Sequence, residues 1–359
     1  MTTQILPTDH PELLRKGVEE AVRLLLAGEV VGLPTETVYG LAADALNADA
    51  VAKIFSVKER PTFDPLIVHL PHKSELDTVA DVPEDIAPAI KQLVDRFWPG
   101  PLTLILPKKP CVPDIVTAGL PTVAVRASAN LVFNRVARKL ERPLAAPSAN
   151  RFGSISPTSA QAVMTELGGR IPLILDGGAC MHGLESTIIK VRNVGETKPR
   201  FVILRPGPIT PEDLKPFGRP FFPGKTKPYS SKSPDEPVEG DGIESPGQLE
   251  SHYAPRTPLR VVDSPEEFTP EPGKTYALLS YRGEMDDGYM DLTDWKQIQV
   301  LSPGKGKLPE AAVRFFFALR ELDKLGVDEI IAEPVPLHSG IGIAIMDRLR
   351  RASHPFRTP

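Results

Sequence analysis

Lys58-Glu59-Arg60-Pro61-Thr62-Phe63-Asp64-Pro65-Leu66-Ile67-Val68-His69 sets a lysine close before an arginine, breaks the chain twice with proline, and ends an apolar run in a histidine. Pro61 and Pro65 fix their own φ and push their predecessors out of the helical region, so the middle of the stretch reads as a loop. In a loop both cationic heads can turn to the same side, which strict strand alternation would forbid. Leu66 to Leu70 is too short and too β-branched for a helix and reads as a buried strand. His69 then stands near a strand end, where open α/β sheets place residues that touch ligands. The same letters also fit a solvated Lys/Arg pair and a core histidine with its hydrogen bonds met, so the reading depends on what the rest of the chain brings.

Before this stretch, Pro11 to Ala27 carries Leu14, Val18, Val22 and Leu25 at helical spacing. A strand from Val30 to Leu33 runs into Pro34-Thr35-Glu36-Thr37-Val38-Tyr39-Gly40-Leu41, which reads as a turn offering hydroxyls, a carboxylate and backbone N–H groups, or simply capping the next helix. Asn47 is the expected N-cap of a helix through Val51, Ile54 and Phe55.

After it, a helix from Asp85 to Phe97 is stopped by Trp98-Pro99-Gly100-Pro101, and strands follow at Leu102 to Leu106 and Pro121 to Val125, the second with Arg126 at its end. Arg142-Pro143-Leu144-Ala145-Ala146-Pro147-Ser148-Ala149-Asn150 reads as a strand leading into a tight polar turn of small residues, and Ser156 or Thr158 is expected to cap a helix reaching Leu167, with Pro157 in its first turn. Small residues beside a helix N-terminus suit an anion, and equally suit an ordinary capped turn. Strands from Leu173 to Leu175, through Ile188, Ile189 and Val191, and from Val202 to Leu204 follow, the last ended by Arg205-Pro206-Gly207-Pro208.

A chain of 359 residues suggests two domains at roughly 150 residues each. Hydrophobic content of 41%, charged content of 25% and a net charge of −4 are those of an ordinary globular protein, not of one that coats nucleic acid or anionic membrane. From about residue 213 to 257, prolines come with glycine, lysine and serine and few aliphatic residues, which is linker composition. It closes with Ser245-Pro246-Gly247-Gln248-Leu249-Glu250-Ser251-His252-Tyr253-Ala254-Pro255, where an adjacent His and Tyr are unexpected in a tether. From about residue 258 to 359 strands alternate with helices: Leu259 to Val262, Tyr276 to Leu279, a helix from Ala311 to Leu325, Asp328 to Ala332, and a final helix from Gly342 to Arg351. That alternation predicts a smaller α/β domain with a mostly parallel sheet. Arg348, Arg350 and Arg351 read as a solvated helix end favoured by the dipole.

Cys111 and Cys180 are far apart and outside any zinc spacing, no basic and apolar leader opens the chain, and no apolar run approaches the roughly 20 residues of a membrane span. The expectation is a cytoplasmic protein with no membrane partner. Gly224-Lys225-Thr226 and Gly273-Lys274-Thr275 lack the earlier glycine of a phosphate-binding loop, and no GxGxxG, HExxH or GxSxG is present. What remains is distributed: Lys58, Arg60, Arg126 and Arg205 as cations, Thr35, Thr122, Ser148, Ser156, Ser186 and Thr187 as hydroxyls, and His69. Such a set suits a polyanion such as a nucleotide, held beside a small polar partner, because phosphoryl and nucleotidyl transfer need mainly positioning and charge neutralisation.

PTETVYGL, KERPTFDPLIVH, FWPGPLTLIL, TVAVR, AAPSAN, SPT, GLESTII and LRPGP occur here in the order seen in YrdC-like proteins, and with SPG…HYAP and IGIAIMDRLRRAS the chain resembles the long, two-domain threonylcarbamoyl-AMP synthase family over nearly its whole length. The resemblance implies a twisted, open mixed α/β sheet with a concave site over residues 1–212, a linker or lid over 213–257, and a smaller Rossmann-like α/β domain over 258–359. It implies nucleotidyl transfer from L-threonine, bicarbonate and ATP with Mg²⁺, giving threonylcarbamoyl-AMP and pyrophosphate for the t6A modification of tRNA, and a downstream tRNA t6A transferase machinery as partner. By motif, Thr35, His69, Arg126, Ser186 and Thr187 would hold threonine. Lys58, Arg60, Asp64, Thr122, Ser148, Ser156 and Arg205 would hold ATP, with Lys58 and Arg60 also neutralising charge in the transition state. Tyr253 would lie in the lid, and no protein side chain would be a metal ligand.

Three departures stand out: Asp64 replaces the usual Asn, Ala127-Ser128-Ala129-Asn130 follows Arg126 in place of a proline- and histidine-containing loop, and Gln248-Leu249-Glu250-Ser251 replaces basic linker residues. The alternative of another class is a double-stranded-RNA or ribosome-binding module of the same fold. The net negative charge and the absence of interleaved aromatics and cations oppose it, and no stable nucleic-acid complex is expected. A carbamoyltransferase of related fold would bring cysteine clusters that this chain lacks.

Overall fold

The computed structural model describes residues 2–193, 195, 198–223, 245–247 and 252–354. Most of the proline-rich stretch and the Gln248-Leu249-Glu250-Ser251 departure therefore lie outside the described residues. One mixed sheet of eleven strands dominates the first domain. From one edge its strands are Gln4–Pro7, Leu173–Asp176, Val31–Leu33, Gly40–Asp44, Leu144–Ala145, Ile67–His69, Thr122–Arg126, Leu102–Pro107, Thr187–Arg192, Arg200–Arg205 and Arg219–Phe221. The last of these belongs to the stretch that composition marks as linker, yet it pairs in parallel with Arg200–Arg205.

Period-two alternation sorts the strand residues to two faces. Leu66, Val68, Val123, Val125, Leu104 and Leu106 enter the main core with the helices Ala48–Lys58 and Ala87–Phe97. Ile67, Ala124, Ile105 and Ile188 turn to the opposite face and form a small cluster of their own. Farther along that sheet, Val31, Leu33, Leu173 and Leu175 pack with the helices Pro11–Leu26 and Leu131–Leu140. The small Ile67 cluster thus floors the open half of the face, and Ile67 lines the cavity described below.

The second domain is a parallel four-stranded sheet in the order Leu259–Val261, Glu329–Ala332, Tyr276–Ser280, Ile298–Val300. The helices Leu308–Asp323 and Gly340–Ser353 bury Phe315, Phe316, Leu319, Ile345 and Leu349 in its core. The same cluster takes in Val38, Ile155, Leu184 and Tyr253, so loops of the first domain and the end of the linker stretch are packed into the second domain's core. Arg320 adds an interdomain ion pair with Glu166 at 2.7 Å.

Three local expectations are corrected. Ser159, not Ser156 or Thr158, caps the helix Ala160–Leu167, accepting from the Ala162 amide at 3.2 Å. Gly40 and Leu41, expected to end a turn, instead open the inner strand Gly40–Asp44. Arg348, expected in solvent, is 0% exposed, while Arg350 is exposed as expected. The reason is geometric: Arg348 and Arg350 are two residues apart on a helix and so face opposite directions.

Gly183 marks the tightest approach of the domains. Its φ is +68°, and a Cβ there would stand 2.4 Å from the Ala312 carbonyl oxygen and 2.5 Å from Val313 Cα. Both obstacles are helix backbone and cannot swing aside. Gly183→Ala is therefore expected to cost about 2 kcal/mol or more, combining left-handed strain with overpacking. Urea unfolding checks this, and an unchanged midpoint would exclude the close approach.

Candidate active site

Parallel register brings the first pair of functional side chains together. Ile67–His69 pairs with Thr122–Arg126 so that His69 is opposite Arg126, at the shared C-terminal end of both strands. Arg126 donates from Nη2 to Glu36 Oε1 at 2.7 Å and from Nη1 to Thr37 Oγ1 at 3.3 Å. Glu36 also accepts from Ser128 Oγ at 2.5 Å and the Ala129 amide at 3.1 Å. The departing Ala127-Ser128-Ala129-Asn130 loop thereby serves the same ion pair, and Asn130 caps the next helix. Thr35 Oγ1 donates to the Val38 carbonyl at 2.6 Å and accepts from the Thr37 and Val38 amides, a turn closed on itself.

A second group comes from the far side of the sheet. Arg205 donates from Nε to the Ser186 carbonyl at 3.1 Å and from Nη2 to Ser186 Oγ at 3.0 Å, and Ser186 Oγ is 2.8 Å from Thr103 Oγ1. Glu185 accepts from Ser156 Oγ at 2.5 Å. From the opening loop, Arg60 donates to the Asp64 and Pro65 carbonyls at 3.1 and 2.9 Å. Its Nη2 also stands 2.9 Å from Asp64 Oδ2, close but out of line for a hydrogen bond. From the end of the linker stretch, Pro246, Gly247, His252 and Tyr253 also line the same space, and the Ala254 amide donates to the Gly153 carbonyl at 2.8 Å.

These groups surround one cavity whose open space is about 50 Å³. Of the residues singled out from sequence, Thr35, Arg60, His69, Arg126, Ser148, Ser186, Arg205 and Tyr253 line it. Arg60, Arg126 and Arg205, far apart in the chain, face the same space. Five others stand back from it. Lys58 Nζ, buried, donates to the Ser148 and Asn150 carbonyls at 2.6 and 2.5 Å and so braces the small-residue turn. Thr187 Oγ1 is occupied by the Ile209 carbonyl at 2.7 Å. Thr122 opens the strand whose other end is Arg126, Ser156 is turned to Glu185, and Asp64 lies behind Arg60. Among the lining residues, Thr37 and His252 stood in stretches the sequence marked without being given a role there, and Glu185 was passed over. Glu185 lies inside the quoted GLESTII motif and was hidden by its hydroxyl neighbours.

Burial governs the titration of the site. It drives the Lys58 ammonium and the His69 and His252 imidazoles well below their ordinary ranges, with neighbouring cations adding to it: Arg60 for Lys58, Arg126 for His69, and Arg60, Lys58, Arg205 and Arg351 for His252. Burial raises the Asp64 carboxyl, against the pull of Arg60, Lys58 and Arg205. Among the described residues, His69 Nδ1, Arg126 Nε, Tyr253 Oη and both Asp64 carboxylate oxygens have no hydrogen-bond partner. Buried polar groups without partners are rare in finished cores and common where a ligand completes them.

This is a two-domain α/β protein whose concave site gathers buried arginines beside a neutral histidine and small hydroxyl residues, the design of an enzyme for a polyanion and a small carboxylate. The chain matches the family model described as "Telomere recombination" over residues 23–207 and that described as "Threonylcarbamoyl-AMP synthase, C-terminal domain" over residues 209–354. It is 38% identical over 361 residues to the threonylcarbamoyl-AMP synthase of Pyrococcus abyssi, covering 95% of this chain and 96% of that one. With the Bacillus subtilis threonylcarbamoyl-AMP synthase it shares 39% identity over 360 residues, covering 98% and 95%. The solved structure of P. abyssi Sua5 complexed with L-threonine superposes with a TM-score of 0.80 at 35% identity, covering 98% of each chain. The chain belongs to the threonylcarbamoyl-AMP synthase family, in its two-domain form. The RNA-binding alternative gains nothing from these relatives. No helix among the described residues is long and apolar enough to cross a membrane.

The depressed histidines make a pH prediction. Their folded pKa values lie below the unfolded value of 6.5, so below about pH 6.5 the unfolded chain binds more protons and stability falls with pH, by up to about 1.4 kcal/mol per unit for each histidine. Thermal melts at pH 7.5 and 5.5 should show the loss, and His69→Gln with His252→Gln should reduce it, leaving the share of His182, which burial also depresses. An equally steep fall in the double variant would assign the acid sensitivity to other groups.

Proposed function

We propose that this chain makes threonylcarbamoyl-AMP and pyrophosphate from L-threonine, bicarbonate and ATP, and that the product passes to the tRNA t6A transferase machinery. The supporting observation is the convergence of Arg60, Arg126 and Arg205 on one cavity beside an unprotonated His69. Arg126 takes the threonine carboxylate on its unpartnered Nε edge, since Glu36 already occupies Nη2. His69 Nδ1 is an acceptor for the threonine ammonium or hydroxyl, and the Thr35 and Ser186 hydroxyls complete that end of the cavity.

Once the threonine amine is neutral it takes up the carboxyl carbon of bicarbonate with loss of water, giving a carbamate. A carbamate oxygen attacks the α-phosphorus of ATP, the bond from that phosphorus to the bridging oxygen breaks, and pyrophosphate leaves. Arg60 and Arg205 face the phosphates and Ser148 the nucleotide, so charge developing on the transferred and leaving groups meets preorganised donors. Lys58 acts one step back, holding the Ser148–Asn150 turn by its carbonyls.

Mg²⁺ fits as an ion that arrives on the phosphates. Among the described residues no three His, Cys, Asp or Glu side chains cluster to hold a metal by themselves, and magnesium sites of nucleotide enzymes draw much of their coordination from phosphate and water. Bound there, it neutralises phosphate charge.

A space of about 50 Å³ admits a water or two, whereas ligand sites usually offer roughly 300–1,000 Å³. Entry of ATP therefore needs more room than this space offers, and the linker residues Pro246, Gly247, His252 and Tyr253 that line it are the ones whose displacement would provide it.

The function is tested by pyrophosphate release. Purified protein given ATP, Mg²⁺ and bicarbonate should release pyrophosphate only when L-threonine is present; release at the same rate without threonine refutes the assignment. Asp64 yields a finer prediction. Asp64 lies behind Arg60 and does not line the cavity, and burial works against its charge, so Asp64→Asn, which keeps the shape and restores the family's residue, should leave KM for ATP within about threefold. A tenfold change in either direction would show that the ionised carboxylate matters.

A further inference from the structure

Arg348 lies on the C-terminal helix Gly340–Ser353, yet it is the largest fully buried side chain among the described residues. It reaches across to the first domain. Nε donates to Glu185 Oε2 at 3.1 Å, and Nη1 donates to the Pro206 carbonyl at 2.5 Å. Its guanidinium carbon stands 5.7 Å from the centroid of the Tyr253 ring, within cation–π range. On its own helix, Asp347 Oδ2 is 3.1 Å from Nη1. Glu185 lines the cavity, and its other oxygen accepts from Ser156.

A carboxylate in the wall of a cavity that takes a triphosphate is a liability, because like charges in a poorly screened space repel over several ångströms. Within the first domain Glu185 is bonded by Ser156 Oγ, a neutral donor. The cation that bonds it directly comes from the second domain. Arg205 cannot serve both purposes, since its guanidinium is committed to Ser186 and to the cavity.

We propose that Arg348 is a positioning residue of the synthase reaction, supplied by the C-terminal domain to neutralise Glu185 and to seat Tyr253 over the closed mouth. The second domain then contributes a charge to the nucleotide site and not only a support for the linker. The proposal rests on the function proposed above, because it needs a polyanion beside Glu185.

The test is a charge-rescue cycle. KM for ATP is measured in the full-length parent, in Arg348→Gln, and in Glu185→Gln with Arg348→Gln, with thermal melts on each. In Arg348→Gln the uncompensated Glu185 carboxylate should raise KM for ATP about 10- to 100-fold. In the double variant the side-chain amide that replaces the Glu185 carboxylate still accepts from Ser156 but carries no charge, so KM should return to within about threefold of the parent. Arg348→Gln within twofold of the parent overturns the proposal. So does a double variant as impaired as the single one, which would mark Arg348 as merely structural. Should Arg348→Gln not fold, the double variant decides alone: near-parent KM supports charge compensation and a tenfold rise overturns it. A parent that makes no threonylcarbamoyl-AMP would instead sink the function itself.

Discussion

Four guanidinium groups are taken out of water around one hollow: Arg60, Arg126, Arg205 and Arg348 are each no more than 7% exposed. The effective penalty for burying an ion is several kcal/mol even after relaxation, so each must be met by carbonyls or carboxylates in the fold. The surrounding structure follows from that requirement. Arg60 is met by the carbonyls of its own proline loop, Arg205 by the Ser186 carbonyl and hydroxyl, Arg126 by Glu36, and Arg348 by Glu185 and Pro206. The two partnered mainly by carbonyls and hydroxyls, Arg205 and Arg60, line the cavity, Arg60 with the Asp64 carboxylate 2.9 Å behind it. The two partnered by glutamates have much of their charge balanced within the fold, Arg126 by Glu36 and Arg348 by Glu185 and Asp347, while Arg126 keeps its Nε edge free at the cavity. Removing Glu36 or Arg126 leaves the other buried and without its ion-pair partner, and removing Arg348 does the same to Glu185, which is the costly half of such a pair.

Much of this was legible in the letters. Strands with strong apolar runs, such as Leu102–Pro107 and Thr122–Arg126, and helices with clear caps, such as the Asn47-capped Ala48–Lys58, fell where periodicity placed them. Cations at strand ends were visible as such, and parallel register turned His69 and Arg126 from separate hints into neighbours. Gly40–Asp44 was not legible, because Gly-Leu-Ala-Ala-Asp lacks the β-branched residues that announce a strand. Its smallness is the point: a Cβ on Gly40 would stand 3.2 Å from the Ala146 Cβ, so packing density between close strands overrides propensity. Arg348 was not legible for a different reason. Helical periodicity tells which residues share a face, but not that the face carrying Arg348 would be covered by another domain.

The residues set back from the cavity change how a motif should be read. Lys58 and Thr187 belong to strings that also contain lining residues, yet their polar atoms are committed to backbone: Lys58 to Ser148 and Asn150, Thr187 to Ile209. Their work is to fix loop geometry. A misplacement of an ångström at such a loop is enough to spoil alignment for an in-line displacement, so a bracing lysine and a contacting arginine are equally necessary to the chemistry without doing the same thing. Gly207 makes the same case: a Cβ there would meet the Glu185 carbonyl oxygen and the Thr187 amide, both at 2.6 Å, so the turn after Arg205 fits against the hydroxyl motif only as glycine.

The small volume of the closed cavity also bears on the product. Threonylcarbamoyl-AMP is a mixed anhydride of a carbamic and a phosphoric acid, and water attacks such bonds. A lid held by Ala254 on Gly153 and by Tyr253 packed on Phe316 is fastened to both domains at once. Tyr253 and Ala254 therefore tie the end of the linker to both domains beside the cavity, where shielding from water would protect such a bond. On this view the second sheet has a chemical reason to be present. A one-domain arrangement would leave Glu185 facing the phosphates without Arg348 and would leave Tyr253 with no core to enter.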